Sequence, residues 1–229
     1  MVYSELGRIP LKYVRMFNII KFWSKLLVSE NCILRGCYDY FYDNVEKCNE
    51  RNWAYQVKRI LTSIGFCDIW FAQELHPSFL PVIRQRIFDQ ATQFVRCQLS
   101  FSSKCNLYIN LVDTHSLHFN LRKCIPSNYK RLISKFRLSS HNLAIETGRY
   151  NNIPMNDRLC KFCNTDIEDE FHFVLICPNY SEIRKKYIKP FYWKYPSVYK
   201  LVQLFNLENT TQLCKLGKYL VKAVTLRNK

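Results

Sequence analysis

Apolar residues in this chain recur at three- and four-residue steps through most of its length, a spacing that favours amphipathic helices. Pro10 to Val28 carries Leu11, Val14, Phe17, Ile20 (or Phe22), Leu26 and Leu27 in that pattern, with Pro10 suited to a first helical turn. Asn52 predicts an N-cap for a helix over Trp53 to Ile64, stopped by Gly65 and striped by Trp53, Val57, Ile60, Leu61 and Ile64. Phe66 to Gln73 and Pro81 to Ser100 read as further helices, and Leu107 to Val112 reads as helix or strand. With only 5 Gly in 229 residues, tight-turn β architectures and glycine-rich phosphate loops have little support. The expected fold is mainly α.

A boundary is expected near Pro126, giving a helical domain over 1–126 and a basic helical region over 127–229. The second region opens with Tyr129 to Leu138, where Leu132, Ile133 and Phe136 alternate with Lys130, Arg131, Lys135 and Arg137. A turn-rich loop over Gly148 to Arg158 follows, then a small zinc-knuckle-like unit, then a helix over Ser181 to Ile188. Helices over Val198 to Leu207 and Thr211 to Leu226 close the chain.

The knuckle rests on Cys160, Cys163, His172 and Cys177. Two residues separate the first pair, eight follow, and four separate His172 from Cys177. The first gap lets two thiolates turn toward one ion, and the last lies within the usual spacing of a second ligand pair. Three thiolates and an imidazole complete a tetrahedral shell with no position left for water, so the expected Zn2+ is structural. The expected local structure is a short helix over Glu168 to Ile176, capped by Thr165 or Asp166 and stopped by Pro178. The plainer alternative is a set of ordinary buried cysteines with a hydrogen-bonded histidine. A rival set, Cys105, His115, His118 and Cys124, has irregular spacing, and Cys32 with Cys37 reads as core.

Lys and Arg total 34 against 18 Asp and Glu, a formal charge of +16. Such a surplus favours a polyanionic partner, RNA or DNA before a membrane surface. Candidate phosphate contacts cluster about the knuckle: Arg137, Arg149, Arg158, Lys161, Arg184, Lys185 and Lys186. Tyr150, Phe162, Tyr180, Tyr187, Phe191, Tyr192 and Trp193 interleave with these cations and offer faces to unpaired bases. The acidic run Glu168, Asp169 and Glu170 is expected at a helix N-terminus, complementing the dipole. No secretory signal is legible, and the longest uncharged run, Phe171 to Ser181, is far short of a membrane span. The eleven Cys therefore suit a reducing, intracellular setting, nuclear or cytoplasmic.

Enzyme signatures are missing: no P-loop, G-x-S-x-G, H-E-x-x-H or dinucleotide fingerprint occurs. Glu170-x-His172 reverses the order used by zinc deaminases. Asp39 and Asp43 read as exposed residues of a Tyr-rich helical stretch. The chain is expected not to be an enzyme.

The stretches Phe136-Arg-Leu-Ser-Ser-His141, Ile145-Glu-Thr-Gly-Arg-Tyr150, Arg158-Leu-Cys160, Glu168-Asp-Glu-Phe-His172-Phe and Cys177-Pro-Asn-Tyr180 together resemble a known region. It is the C-terminal cysteine-histidine region of non-LTR (LINE-type, jockey-like) retrotransposon reverse transcriptases. Val2-Tyr-Ser-Glu-Leu-Gly-Arg-Ile-Pro-Leu11 and the stretch from Asn52 to Trp70 resemble, more loosely, the segment that follows the polymerase in such elements. Ser4 and Met155 depart from the pattern, where a Gly and a basic residue are expected, and no Tyr-x-Asp-Asp polymerase motif occurs. The resemblance implies that Cys160, Cys163, His172 and Cys177 hold zinc. It also implies a module that binds element RNA or target DNA, with the reverse transcriptase core as a further partner and this chain as the tail of a longer polyprotein. Two other readings stand beside it: a protein-interaction module docking on a polymerase core or host factor, and a decayed transposon fragment.

Overall fold

A computed structural model describes residues 1–112 and 116–228 of the chain. About 69% of it is helical, with almost no strand. The chain forms two compact bodies, one of residues 9–95 and one of residues 1–8 with 96–229.

In the first body, α1 (Leu11–Leu27), α2 (Cys32–Cys48), α3 (Trp53–Ser63), α4 (Cys67–Ala72) and most of α5 (Phe79–Ser100) enclose a core of Ile20, Trp23, Val57, Leu61, Trp70, Ile83, Ile87 and Ala91. α3 starts as expected: the Asn52 side chain accepts the Tyr55 amide at 3.2 Å. Gly65, at φ +79°, turns the chain out just after the helix ends. The two core indoles stack at 6.2 Å, and both have hydrogen-bond partners. Trp23 Nε1 donates to the Tyr38 hydroxyl at 2.7 Å, and Trp70 Nε1 donates to Glu46 at 2.9 Å. The face of α1 differs from the expected one at its start. Tyr13, Ile20, Trp23 and Leu26 are buried, whereas Leu11, Val14 and Phe22 face out. Cys32 and Cys37 are exposed on α2 and not part of the core.

In the second body, α6 (Ser127–Arg137), α7 (Ala144–Tyr150), α8 (Ser181–Tyr187), α9 (Val198–Phe205) and α10 (Thr210–Arg227) surround the cysteine-histidine segment. The stretch left open as helix or strand is a single helical turn, Tyr108–Leu111. Expected boundaries at 126 do not coincide with these bodies, which divide inside α5. The reason is packing: Leu111 and Ile125 share one core with Ile133, Phe136 and Phe205. The first residues of the chain belong to this body too. Arg137 Nε and Nη2 donate to the two Glu5 carboxylate oxygens at 2.7 and 3.0 Å, and its Nη1 donates to the Phe205 carbonyl and to Asn206. Both charged residues are almost fully buried. Arg137, a candidate for nucleic-acid contact by sequence, is therefore an internal strut unavailable to phosphate.

Helices α6 and α10 approach closely at Gly217. A Cβ placed there would lie 2.5 Å from Tyr129 Cβ, a position set by backbone and not by a flexible tip.

Two substitutions test this packing. Helix propensity alone favours Gly217→Ala by about 1 kcal/mol, but the forced separation of α6 from α10 is expected to reverse the sign and lower the melting temperature. Arg137→Met leaves the buried Glu5 carboxylate without its guanidinium, with the Tyr108 hydroxyl at 3.3 Å and His118 Nδ1 at 3.7 Å beside it, and is expected to cost about 3–5 kcal/mol in urea unfolding.

Candidate metal centre

The segment begins as a minimal hairpin. Leu159 and Ile167 form an isolated antiparallel bridge. Within it Cys160 N donates to the Asp166 carbonyl at 2.9 Å and Asn164 N to the Cys160 carbonyl at 2.8 Å. Asn164 takes the left-handed conformation that closes the turn, φ 51°, which Asn tolerates better than most side chains. The chain thereby doubles back and turns Cys160 and Cys163 toward the same point.

The other two side chains come from the helical turn that follows. The expected cap was Thr165 or Asp166. The observed cap is Asp169, whose side chain accepts the His172 amide at 2.7 Å. The turn from His172 to Ile176 is a π-turn, closed by Cys177 N donating to the His172 carbonyl at 2.8 Å. Five residues along an α-helix diverge by roughly 140° around the axis. The wider turn brings Cys177 back to the side of His172.

The four ligand atoms all lie within 4.8 Å of one another. Cys160 Sγ and Cys177 Sγ are 3.9 Å apart, and Cys163 Sγ is 3.2 Å from His172 Nε2. A tetrahedral thiolate-bound metal at about 2.3 Å from each sulfur separates two sulfurs by about 3.8 Å, so the cage has the size of such an ion. Cys160, His172 and Cys177 are buried, and Cys163 is half-buried. The donor set can hold a metal ion; among the described residues no other group of His, Cys, Asp or Glu converges in this way. Of the rival set, Cys124 is exposed, His118 hydrogen-bonds Asn120 and Asn206, and His115 lies outside the described residues.

The local electrostatics fit a cation. Burial pushes the Cys177 thiol up to about 12, and charge on the neighbouring Cys160 and Cys163 adds to that. Burial acts on Cys163 in the same direction. There, hydrogen bonds from the Thr165 side chain and backbone and from Cys160, with the charge of His172, outweigh it and bring the thiol down to about 6. The Thr165 hydroxyl donates to Cys163 Sγ at 3.2 Å. Asp166 Oδ2 lies 3.7 Å from His172 Nδ1, on the side of the ring away from the sulfurs. A carboxylate there favours the ring orientation that presents Nε2 to a metal. Three sulfurs this close carry charge together only with a cation among them.

Surrounding residues hold the cage. Arg184 donates to the carbonyls of Val174 and Cys177 at 2.8 Å each, and the Tyr219 hydroxyl donates to those of Phe173 and Val174. These donors reach the carbonyls of the last part of the turn, and the Cys177 carbonyl also accepts the Tyr180 amide at 3.3 Å. Each member of the acidic run has an internal partner. Glu168 pairs through both oxygens with Arg227 at 2.6 Å, and Glu170 accepts from Ser139 and sits 2.8 Å from His141 Nε2. Asp169 is the cap already described. Glu168 and Glu170 are thus buried anchors, Asp169 is half-buried, and the expected dipole role belongs to Asp169 alone.

The structure sorts the sequence-derived phosphate contacts into two groups. Arg137 and Arg184 are buried. Arg158 is half-buried and donates to the Ile145 and Ile153 carbonyls, and Arg149 pairs with Glu146 and Ser103. Lys161, Lys185 and Lys186 are exposed; Lys161 bonds the Arg227 carbonyl, and Lys185 pairs with Glu182. Sequence reasoning missed Lys215, Lys218 and Lys222, exposed along one face of α10. Their three- and four-residue spacing was the available signal. Among the aromatics, Tyr180 and Tyr192 are core, while Tyr150 and Phe191 are exposed. No family model, curated protein or solved structure matches the chain in comparison searches. Among the described residues no helix is long and apolar enough to cross a membrane.

Cys163→Ser is expected to remove the metal carried by the purified chain, from about one ion to none. Elemental analysis of dialysed protein reads this directly, and retention of a full equivalent by the variant would rule out the cage.

Proposed function

We propose that this chain is a non-catalytic nucleic-acid-binding module, stabilised by a structural Zn2+ at Cys160, Cys163, His172 and Cys177. We place it with the C-terminal regions of non-LTR retrotransposon reverse transcriptases, where it contacts element RNA or target DNA. The observation that carries the reading is the closed three-sulfur, one-nitrogen cage beside a face of unpaired lysines. Such a shell leaves no site for substrate or water, so its contribution is to stability: apparent binding of zinc to small sites of this kind is worth about 10–16 kcal/mol. The family resemblance across residues 136–180 supports the same assignment.

The lysine face lies on α8 and α10. Lys186 Nζ and Lys222 Nζ sit 5.9 and 5.6 Å from the Tyr187 ring centroid. Among the described residues neither they nor Lys215 and Lys218 form an ion pair. Cations free of carboxylates, set around a partly exposed aromatic ring, suit phosphates with a neighbouring base face.

A second reading is docking on a polymerase core or host factor. It is favoured by one observation: exposed Leu11, Val14 and Phe22 on α1 line a shallow hollow with Trp53. A monodisperse monomer whose melting temperature is unmoved by Phe22→Ser would leave that hollow without a role.

Binding of labelled RNA and DNA measured between 50 and 200 mM salt tests the main reading. Affinity is expected to fall steeply with salt, and Lys186→Gln with Lys222→Gln to weaken it without lowering the melting temperature. Replacing the native metal with Co2+ is expected to give the absorption of a tetrahedral thiolate site. Absence of binding to every nucleic acid at low salt would overturn the assignment.

A further inference from the structure

The body formed by residues 9–95 has a cleft of its own. Its volume is about 630 Å³, and its walls are α1, α3, the segment leading into α3 and one side chain of α5. Four cations line it: Lys12 and Arg15 from α1, Arg51 just before α3, and Arg59 on α3. Among the described residues no carboxylate lines it.

This concentration of charge is local. The body holds eleven Lys and Arg against eight Asp and Glu, a small net surplus. Its recorded ion pairs lie elsewhere: Arg35 with Asp39, Lys47 with Asp43, and Lys58 with Glu46. The four cleft cations take part in none, and all four are exposed. Like charges brought together without counter-charge repel, and an anionic ligand relieves that repulsion.

The rest of the lining narrows the ligand class. Three of the four cations are arginines, whose planar forks suit phosphate oxygens. Arg15 is already oriented, donating to Gln56 at 3.2 Å. Lys12 Nζ rests 3.9 Å from the Phe94 ring centroid. Half-buried Tyr55 and Ile19 add apolar surface between the charges, which a bare anion does not use and a base face does. A volume of this size exceeds what one phosphate fills and suits several atoms of a chain.

We propose that this cleft is a second nucleic-acid site, taking the phosphodiester backbone of a single strand on Lys12, Arg15, Arg51 and Arg59. It is independent of the lysine face of α8 and α10, and either site can fail without the other.

The test uses the full chain and a fluorescein-labelled 12-nucleotide oligouridylate, titrated across salt concentrations. For single strands the slope of log affinity against log salt changes by about 0.7 per phosphate contact. The double variant Arg15→Gln, Arg59→Gln is expected to reduce the slope by about 1.4 and to weaken binding roughly tenfold or more near 0.1 M salt. Lys12→Gln with Arg51→Gln, an independent pair, is expected to do the same. Both pairs are exposed, and circular dichroism should show unaltered helix content. The Lys186→Gln, Lys222→Gln chain is expected to keep the cleft's share of the slope. An unchanged slope in both cleft variants overturns this inference and leaves the function proposed above standing. Loss confined to the cleft variants supports this inference and removes the lysine face of α8 and α10 from the binding surface, while the function proposed above stands. Equal competition by poly-glutamate, or preferential binding to phosphatidylserine vesicles, also overturns it.

Discussion

A carboxylate with no access to water must find its counter-charge in place, and Glu168 is such a group. Its two oxygens receive Arg227 from the end of α10, and one of them also accepts the Ala144 amide at the start of α7. Its backbone joins the hairpin to α7, donating to the Arg158 carbonyl and accepting from Ile145 N. One residue therefore holds three elements in register around the cysteine-histidine cage. Glu170, tied to Ser139 and His141, and Glu5, gripped by Arg137, repeat the arrangement at other points of the same body. The body is built on buried pairs as much as on its apolar core.

Much of this was legible from spacing. Several helix positions followed from the apolar period, and the start and stop of α3 from Asn52 and Gly65, because these signals are local; α7 was not expected, and its end lies inside the loop expected from Gly148. The four metal-ligand candidates were legible for a similar reason: hairpin and turn bring them together within eighteen residues. The arginines were misread, although the period held the answer. Arg137 falls on the 133, 136, 137 stripe with Ile133 and Phe136, and Arg184 falls midway between Tyr180 and Ile188, all buried. A charge on an apolar stripe implies a buried partner. The partner itself was out of reach, since Glu5 lies 132 residues from Arg137. Packing is equally non-local where Leu111 and Ile125 join the core of Ile133, Phe136 and Phe205, and the compact bodies therefore ignore the proline-marked boundary at 126.

Charge count and charge availability also part company here. The surplus of +16 is a property of the whole chain. Several of the most suggestive arginines spend their donors on carbonyls and carboxylates inside the second body. Exposed cations without a recorded ion pair include Lys186 on α8, the lysines of α10 and a separate cluster in the first body. Composition signals a polyanion; only the pairing pattern says which cations can meet it.

The Glu168–Arg227 pair carries a consequence for biosynthesis. During translation Glu168 leaves the ribosome 59 residues ahead of its counter-charge. All four cage ligands are likewise synthesised before α10 exists. The nascent hairpin presents a complete ligand set early, but the carboxylate at its base must stay hydrated until the last helix arrives. Closure of this body is therefore ordered in time, with the ligand set complete before burial and with final closure waiting on the distal helix.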